Sequence, residues 1–266
     1  MKNILYIPYF IYVVLLFIAL ILFAFPFALL LLLMPKKVRD YGMFIILKFI
    51  SNTWFILGGM WPKNYNRNKI DFSKSYLIAP NHQSFIDAAI VYTSIPQLFK
   101  SLGKKEIEKA PIYGIIYKMV VITVDRSSVT AKANSFRKMK SEMENGMSIV
   151  LFPEGTFADK PQHELMPFQN GSFALAHMQR VDILPVLFLD TVKRMHPSKL
   201  YLVTPGFNRA VFLPPIPTKD IDKADLDLLK NYCQLYMQTC LDFCRKNNPA
   251  DVWVFAVTWL QNNHLK

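Results

Sequence analysis

The chain opens on an uninterrupted apolar run. From position 4 to position 34 no residue is charged. A helix over that run would be about 46 Å long, against a bilayer hydrocarbon core near 30 Å. One tilted span, or a helix bent near Pro26 where the ring removes a backbone donor, satisfies this pattern. The run is too long for the apolar core of a cleaved signal peptide, and no small-x-small site follows it. Lys36, Lys37 and Arg39 come next and place this end on the cytoplasmic side if the segment spans. A second apolar stretch, 41–61, is broken by Lys48 and by Ser51-Asn52-Thr53. It suits the membrane interface better than a crossing, with Trp54 and Trp61 at headgroup level.

Beyond position 62 short apolar runs alternate with helical stretches. Strands are expected at 76–79, 98–102, 120–124, 148–152, 183–189, 200–204 and 210–213. Helices are expected at 86–94, 111–118, 129–144 and 173–179, with a helical tail over 223–245 and an apolar continuation at 252–260. This alternation predicts an α/β domain: a mixed, mostly parallel sheet flanked by helices. The organisation is therefore an anchoring unit of N-terminal membrane helices over 1–62, followed by a domain over 63–266.

Charge narrows the partners. The 266 residues carry a net +12, of which residues 1–62 contribute +4. Such a surplus favours anionic partners. With 52% hydrophobic residues and no zinc-finger spacing, RNA-binding aromatic motif or basic tail, a membrane surface fits and nucleic acid does not. Cys233, Cys240 and Cys244 fall on one helical face, without CxxC spacing. They read as core residues, and no metal site or disulfide framework is implied.

Four sites at strand ends carry candidate chemistry. Asn81-His82-Gln83-Ser84-Phe85-Ile86-Asp87 follows a strand ending at Ala79-Pro80. A His at such a turn faces a cleft and can take a proton from a hydroxyl, while Asp87 folds back to hold the other ring nitrogen. Phe152-Pro153-Glu154-Gly155-Thr156 ends the 148–152 strand: Gly155 permits a sharp turn, Glu154 offers an acceptor and Thr156 a donor. Arg126 closes the 120–124 strand, where its planar fork can clamp a phosphate. Pro185 opens the 183–189 strand.

In this order and spacing, the chain resembles the glycerolipid acyltransferases, the lysophosphatidic acid acyltransferase family with its four ordered motifs. NHQSFID matches the first block, FPEGT the third and LPV the fourth, while GKKEIEKAPIYG looks like the segment before the second; the resemblance covers about residues 75–215. It implies that His82 and Asp87 are the charge-relay pair. Arg126, with Lys104 or Lys105, would bind the acceptor's phosphate. Glu154, Gly155 and Thr156 would shape the acceptor site, and Pro185 would border the acyl chain or thioester.

The implied reaction moves a fatty acyl group from acyl-CoA or acyl carrier protein to the free hydroxyl of a lysophospholipid, lysophosphatidic acid first among them. No other cofactor is required. The chain departs from the family pattern at Val120 and Thr123 in the second block, at Phe157 where Arg or Ser commonly stands, and at 168–171, which lacks a Lys. A lysolipid without a free phosphate, such as a lyso amino-acid lipid, is therefore an alternative acceptor, and a thioester-binding protein without turnover is an alternative activity.

Overall fold

The computed structural model describes residues 6–125, 128–157, 164–219 and 221–263. In chain order the elements are α1 (Tyr6–Leu32), α2 (Lys36–Leu57), β1 (Pro62–Tyr65), β2 (Leu77–Pro80), α3 (Asp87–Ser94), β3 (Phe99–Lys104), α4 (Tyr113–Val120), β4 (Val121–Val124) and α5 (Val129–Glu144). They continue as β5 (Ser148–Val150), α6 (Asn170–Gln179), β6 (Ile183–Phe188), α7 (Thr191–Arg194), β7 (Met195–His196), β8 (Lys199–Val203), β9 (Asn208–Phe212), α8 (Leu226–Lys246) and α9 (Val252–Asn262).

Seven strands form one sheet in the order β1-β9-β6-β2-β5-β3-β4. Every pairing is parallel except β6 with β9. This is the mixed, mostly parallel sheet expected from the alternating pattern. Its central strands are apolar along their whole length because helices cover both faces. Ile78, Val150, Leu184, Val186 and Phe188 join a cluster with residues of α1 to α4. Leu77, Ala79, Ile149, Ile183 and Leu187 join another with α5, α6, α8 and α9. Cys233, Cys240 and Cys244 are free and buried in the second cluster, where burial raises all three thiols well above the ordinary range.

Several details differ from the sequence pattern. Val120 ends α4 instead of starting β4, and the 200–204 run lies in a separate two-stranded ribbon with β7. The strand β1 was not expected, since Pro-Lys-Asn-Tyr has no apolar signature; it is held at the sheet edge by β9, with Pro62 opposite Asn208.

The N-terminal helices pack on this domain. α1 is one 27-residue helix running through Pro26, mostly exposed, and long and apolar enough to cross a membrane. Ile11, Leu15, Leu22, Phe23 and Leu30 point outward from it. α2 lies between α1 and the sheet, with Met43, Ile50 and Phe55 buried. Trp54 is not at a headgroup level: it is buried beneath α1, its Nε1 donates to the Val13 carbonyl at 2.9 Å, and Phe17 packs on its ring. Trp61 stays half exposed. An ion pair unmarked by any sequence pattern, Lys100 to Asp40, ties α2 to the start of β3.

Candidate active site

Because β2, β5, β3 and β4 run parallel, their C-terminal ends share one edge of the sheet. Open α/β sheets place ligands outside this edge. β2 delivers His82 there. Asn81 ends the strand by side-chain pairing: its Oδ1 accepts from Phe188 N at 2.6 Å and its Nδ2 donates to Phe188 O at 3.2 Å. This substitutes for a main-chain ladder and lets the backbone leave the sheet at His82. Ser84, fully buried, anchors the far side of the turn by donating to the Met195 carbonyl at 2.7 Å.

Asp87 opens α3, where a carboxylate is favoured by the helix dipole. Its Oδ2 accepts from the amides of Gln83 and Ser84 at 2.6 and 2.7 Å, and lies 2.8 Å from His82 Nδ1. The five-residue separation thus closes a compact loop around one oxygen. Asp87 is fully buried, whereas the His82 side chain retains 18% exposure. With Nδ1 directed at the carboxylate, Nε2 is the nitrogen available to a substrate; it has no hydrogen-bond partner among the described residues.

Phe152 stacks on the imidazole, with centroids 4.1 Å apart and planes 22° apart. Phe157 meets the same ring edge-on at 4.8 Å and contacts Phe85 in turn. The imidazole therefore sits in an aromatic enclosure, beside which Phe85 is exposed. Phe152 was legible only as a strand residue; its contact with His82 follows from the adjacency of β5 and β2, as do the anchoring roles of Asn81 and Ser84 from β6 and β7.

Glu154 enters from the end of β5, on a turn where Gly155 takes φ +72°, a conformation that side chains disfavour. The carboxylate is buried, with one oxygen accepting from the His82 amide at 2.7 Å and the other from the Met166 amide at 2.8 Å. Burial pushes its pKa up to about 7, in spite of those two backbone donors, which pull it down. Thr156 is exposed beside it.

The remaining expected residues are spread along the same edge or below it. Lys104 ends β3, with Val124 of β4 alongside, and both Lys104 and Lys105 are exposed. Two strand spacings, about 10 Å, separate β3 from β2. Lys105 Nζ lies 3.9 Å from the Asp125 carboxylate. Pro185 is buried inside the sheet next to Ala79, and its carbonyl accepts from Leu213 N at 3.1 Å. Arg126 lies outside the described residues. No group of three or more His, Cys, Asp or Glu side chains suited to a metal occurs among the described residues.

A family model described as Acyltransferase matches residues 62–189, which hold the whole of this edge. Human 1-acyl-sn-glycerol-3-phosphate acyltransferase beta is 27% identical over 176 residues, covering 64% of this chain and 61% of that protein. The 1-acyl-sn-glycerol-3-phosphate acyltransferase of Limnanthes alba is 30% identical over 169 residues, covering 62% of this chain and 59% of that protein. The chain thus spans about 60% of the length of these relatives. The crystal structure of the 1-acyl-sn-glycerophosphate (LPA) acyltransferase PlsC from Thermotoga maritima shares the fold, with a TM-score of 0.70 at 20% identity over 92% of this chain and 97% of that one. The block matched to the acyltransferase family thus spans the His82 turn, the Glu154 turn and β6, and over this block the chain is similar to 1-acyl-sn-glycerol-3-phosphate acyltransferases.

Proposed function

We propose that the protein is a membrane-associated O-acyltransferase that moves a fatty acyl group from acyl-CoA or acyl carrier protein to the free hydroxyl of lysophosphatidic acid, giving phosphatidic acid. The observation that carries this reading is the 2.8 Å contact of His82 Nδ1 with the buried Asp87 carboxylate, on a partly exposed imidazole whose other nitrogen is left for a substrate.

In the reaction, the acceptor hydroxyl lies against Nε2 and loses its proton to it as the oxygen attacks the thioester carbonyl. Asp87 holds the imidazole in the tautomer with hydrogen on Nδ1 and stabilises the imidazolium that forms. The tetrahedral intermediate then collapses, the C–S bond breaks, and the thiolate takes the proton from His82. The acceptor itself is the nucleophile, so no acyl-enzyme is required, and the three thiols are buried on α8. The amides of His82, Gln83 and Ser84 are already bonded to Glu154 and Asp87, so oxyanion donors come from another loop of this edge. Lys104 and Arg126 supply positive charge for the acceptor's phosphate. The helix α1 holds the domain at the bilayer, with the catalytic edge on the cytoplasmic face, as the charges of Lys36, Lys37 and Arg39 favour.

Phe157 supports a second acceptor class. It sets an apolar edge beside the base, which suits a hydroxyl flanked by methylenes, as in a lyso amino-acid lipid.

The test is product formation by wild-type and His82→Ala membranes, given labelled acyl-CoA or acyl carrier protein and a panel of lysolipids. A His82-dependent acylated lipid identifies the acceptor. Thioester binding without product from any acceptor would replace this reading with that of a binding protein.

A further inference from the structure

Glu154 makes contacts unlike those of a residue that receives substrate. Its two oxygens point in different directions, each to a main-chain amide of a different segment: Oε1 to His82 in the β2–α3 turn, Oε2 to Met166 in the irregular stretch 164–169. Only 4% of the residue is exposed, so the lone pairs left over after these two bonds have no route to a lipid hydroxyl.

The stretch that Glu154 grips is itself held from behind. Gln238 and Gln234 of α8 accept from the amides of Leu165 and Phe168 at 2.8 and 3.2 Å, and Gln169 N donates to the Pro153 carbonyl at 2.8 Å. Leu165 and Phe168 are buried in the cluster beneath. Three side-chain acceptors and one carbonyl thus fix four of five consecutive amides, none of which belongs to a helix or strand. The stretch is a strap, and Glu154 is the link between the strap and the backbone of the base.

Resting on the assignment of His82 as general base, we infer that Glu154 is a positioning residue, which clamps the His82 backbone to the 164–169 strap and thereby sets where Nε2 stands relative to the substrate. It acts through His82 and does not contact the acceptor. The cost of keeping this carboxylate buried, seen in its raised pKa, is a stability sacrifice of the kind that functional sites carry.

The experiment is steady-state kinetics on the full chain in lipid–detergent micelles, with acceptor and donor varied separately, alongside hydrogen exchange of the peptide spanning the His82 turn. Glu154→Gln keeps the size but turns an NH2 group toward one of the two amides. It is expected to lower kcat by about 10- to 100-fold, the scale of a base displaced by up to an ångström, while acceptor KM stays within about twofold. Exchange at the His82 turn accelerates. A raised acceptor KM with kcat preserved would mean that Glu154 touches the acceptor and would overturn the inference, as would wild-type kcat.

Should Glu154→Gln not fold, Met166→Pro deletes only the strap-side donor. Met166 precedes Pro167, so its backbone already avoids the helical region and a proline there is tolerated. Reduced kcat at constant acceptor KM supports the clamp, and unchanged kcat overturns it. His82→Ala run in parallel separates the two claims: full activity in that variant removes the base assignment itself, whatever Glu154 does.

Discussion

Lys100 Nζ sits 2.9 Å from Asp40 Oδ1, and both side chains are buried. The ammonium also donates to the Met119 carbonyl at 2.6 Å, so one cation joins α2, β3 and α4. Removing one partner of such a pair strands a charge in the interior, whereas replacing both with apolar residues is tolerated. Asp40→Ala is therefore expected to destabilise the fold by about 3–5 kcal/mol, and Asp40→Leu with Lys100→Met to recover most of it. Thermal unfolding in detergent checks this. A double variant no better than the single would show that the charges themselves are needed.

Asp87→Asn tests the carboxylate behind the base. The amide still offers one oxygen to the three donors that converge on Oδ2, so the turn persists. The imidazole loses its countercharge and its preferred tautomer. The expected loss is about 10²–10⁴ in kcat with acceptor KM little changed. A loss confined to KM would contradict the charge-relay assignment.

Glu154 makes stability depend on pH in a stated direction. Its carboxyl titrates near 7 in the fold against an ordinary value of 4.5, so between these values the native state binds more protons than the unfolded chain. Its contribution is full below about pH 4.5 and is lost as pH rises through 7, a difference of about 3 kcal/mol. Glu154→Gln has no such titration. The unfolding free energy of wild type minus that of the variant, measured from pH 5 to 8, should fall with pH; parallel curves would disprove the shift.

Phe157 lies edge-on to His82, so under the proposed function a cation in its place would stand beside the acceptor. Phe157→Arg is expected to lower the KM for lysophosphatidic acid by several-fold, to a degree that shrinks with added salt. Acylation of an acceptor without phosphate should not gain. Equal response of both acceptors would mean that the site does not hold the phosphate near this side chain.

The His82 turn was legible because a strand end, a His and an Asp five residues on lie together in the sequence, and local geometry does the rest. The alternation of apolar runs likewise revealed most of the sheet. What escaped was contact between distant segments. Lys100 and Asp40 are sixty positions apart and each reads as an ordinary surface charge. β1 lacks an apolar pattern because it is an edge strand whose pairing defines it. Trp54 carries the composition of an interfacial aromatic, and only the position of α1 above it turns it into core. Glu154 was legible as an acceptor, but its donors, His82 and Met166, lie 72 positions before it and 12 after.

The pairing of β1 with β9 has a consequence during synthesis. Pro62 follows closely on the N-terminal helices α1 and α2, but its partner Asn208 emerges 146 residues later. At about 5–20 residues per second, the ribosome needs roughly 7–30 s to supply it. Throughout that interval β1 lacks the one strand it pairs with in the sheet. The sheet thus cannot close at this edge until most of the chain has been made.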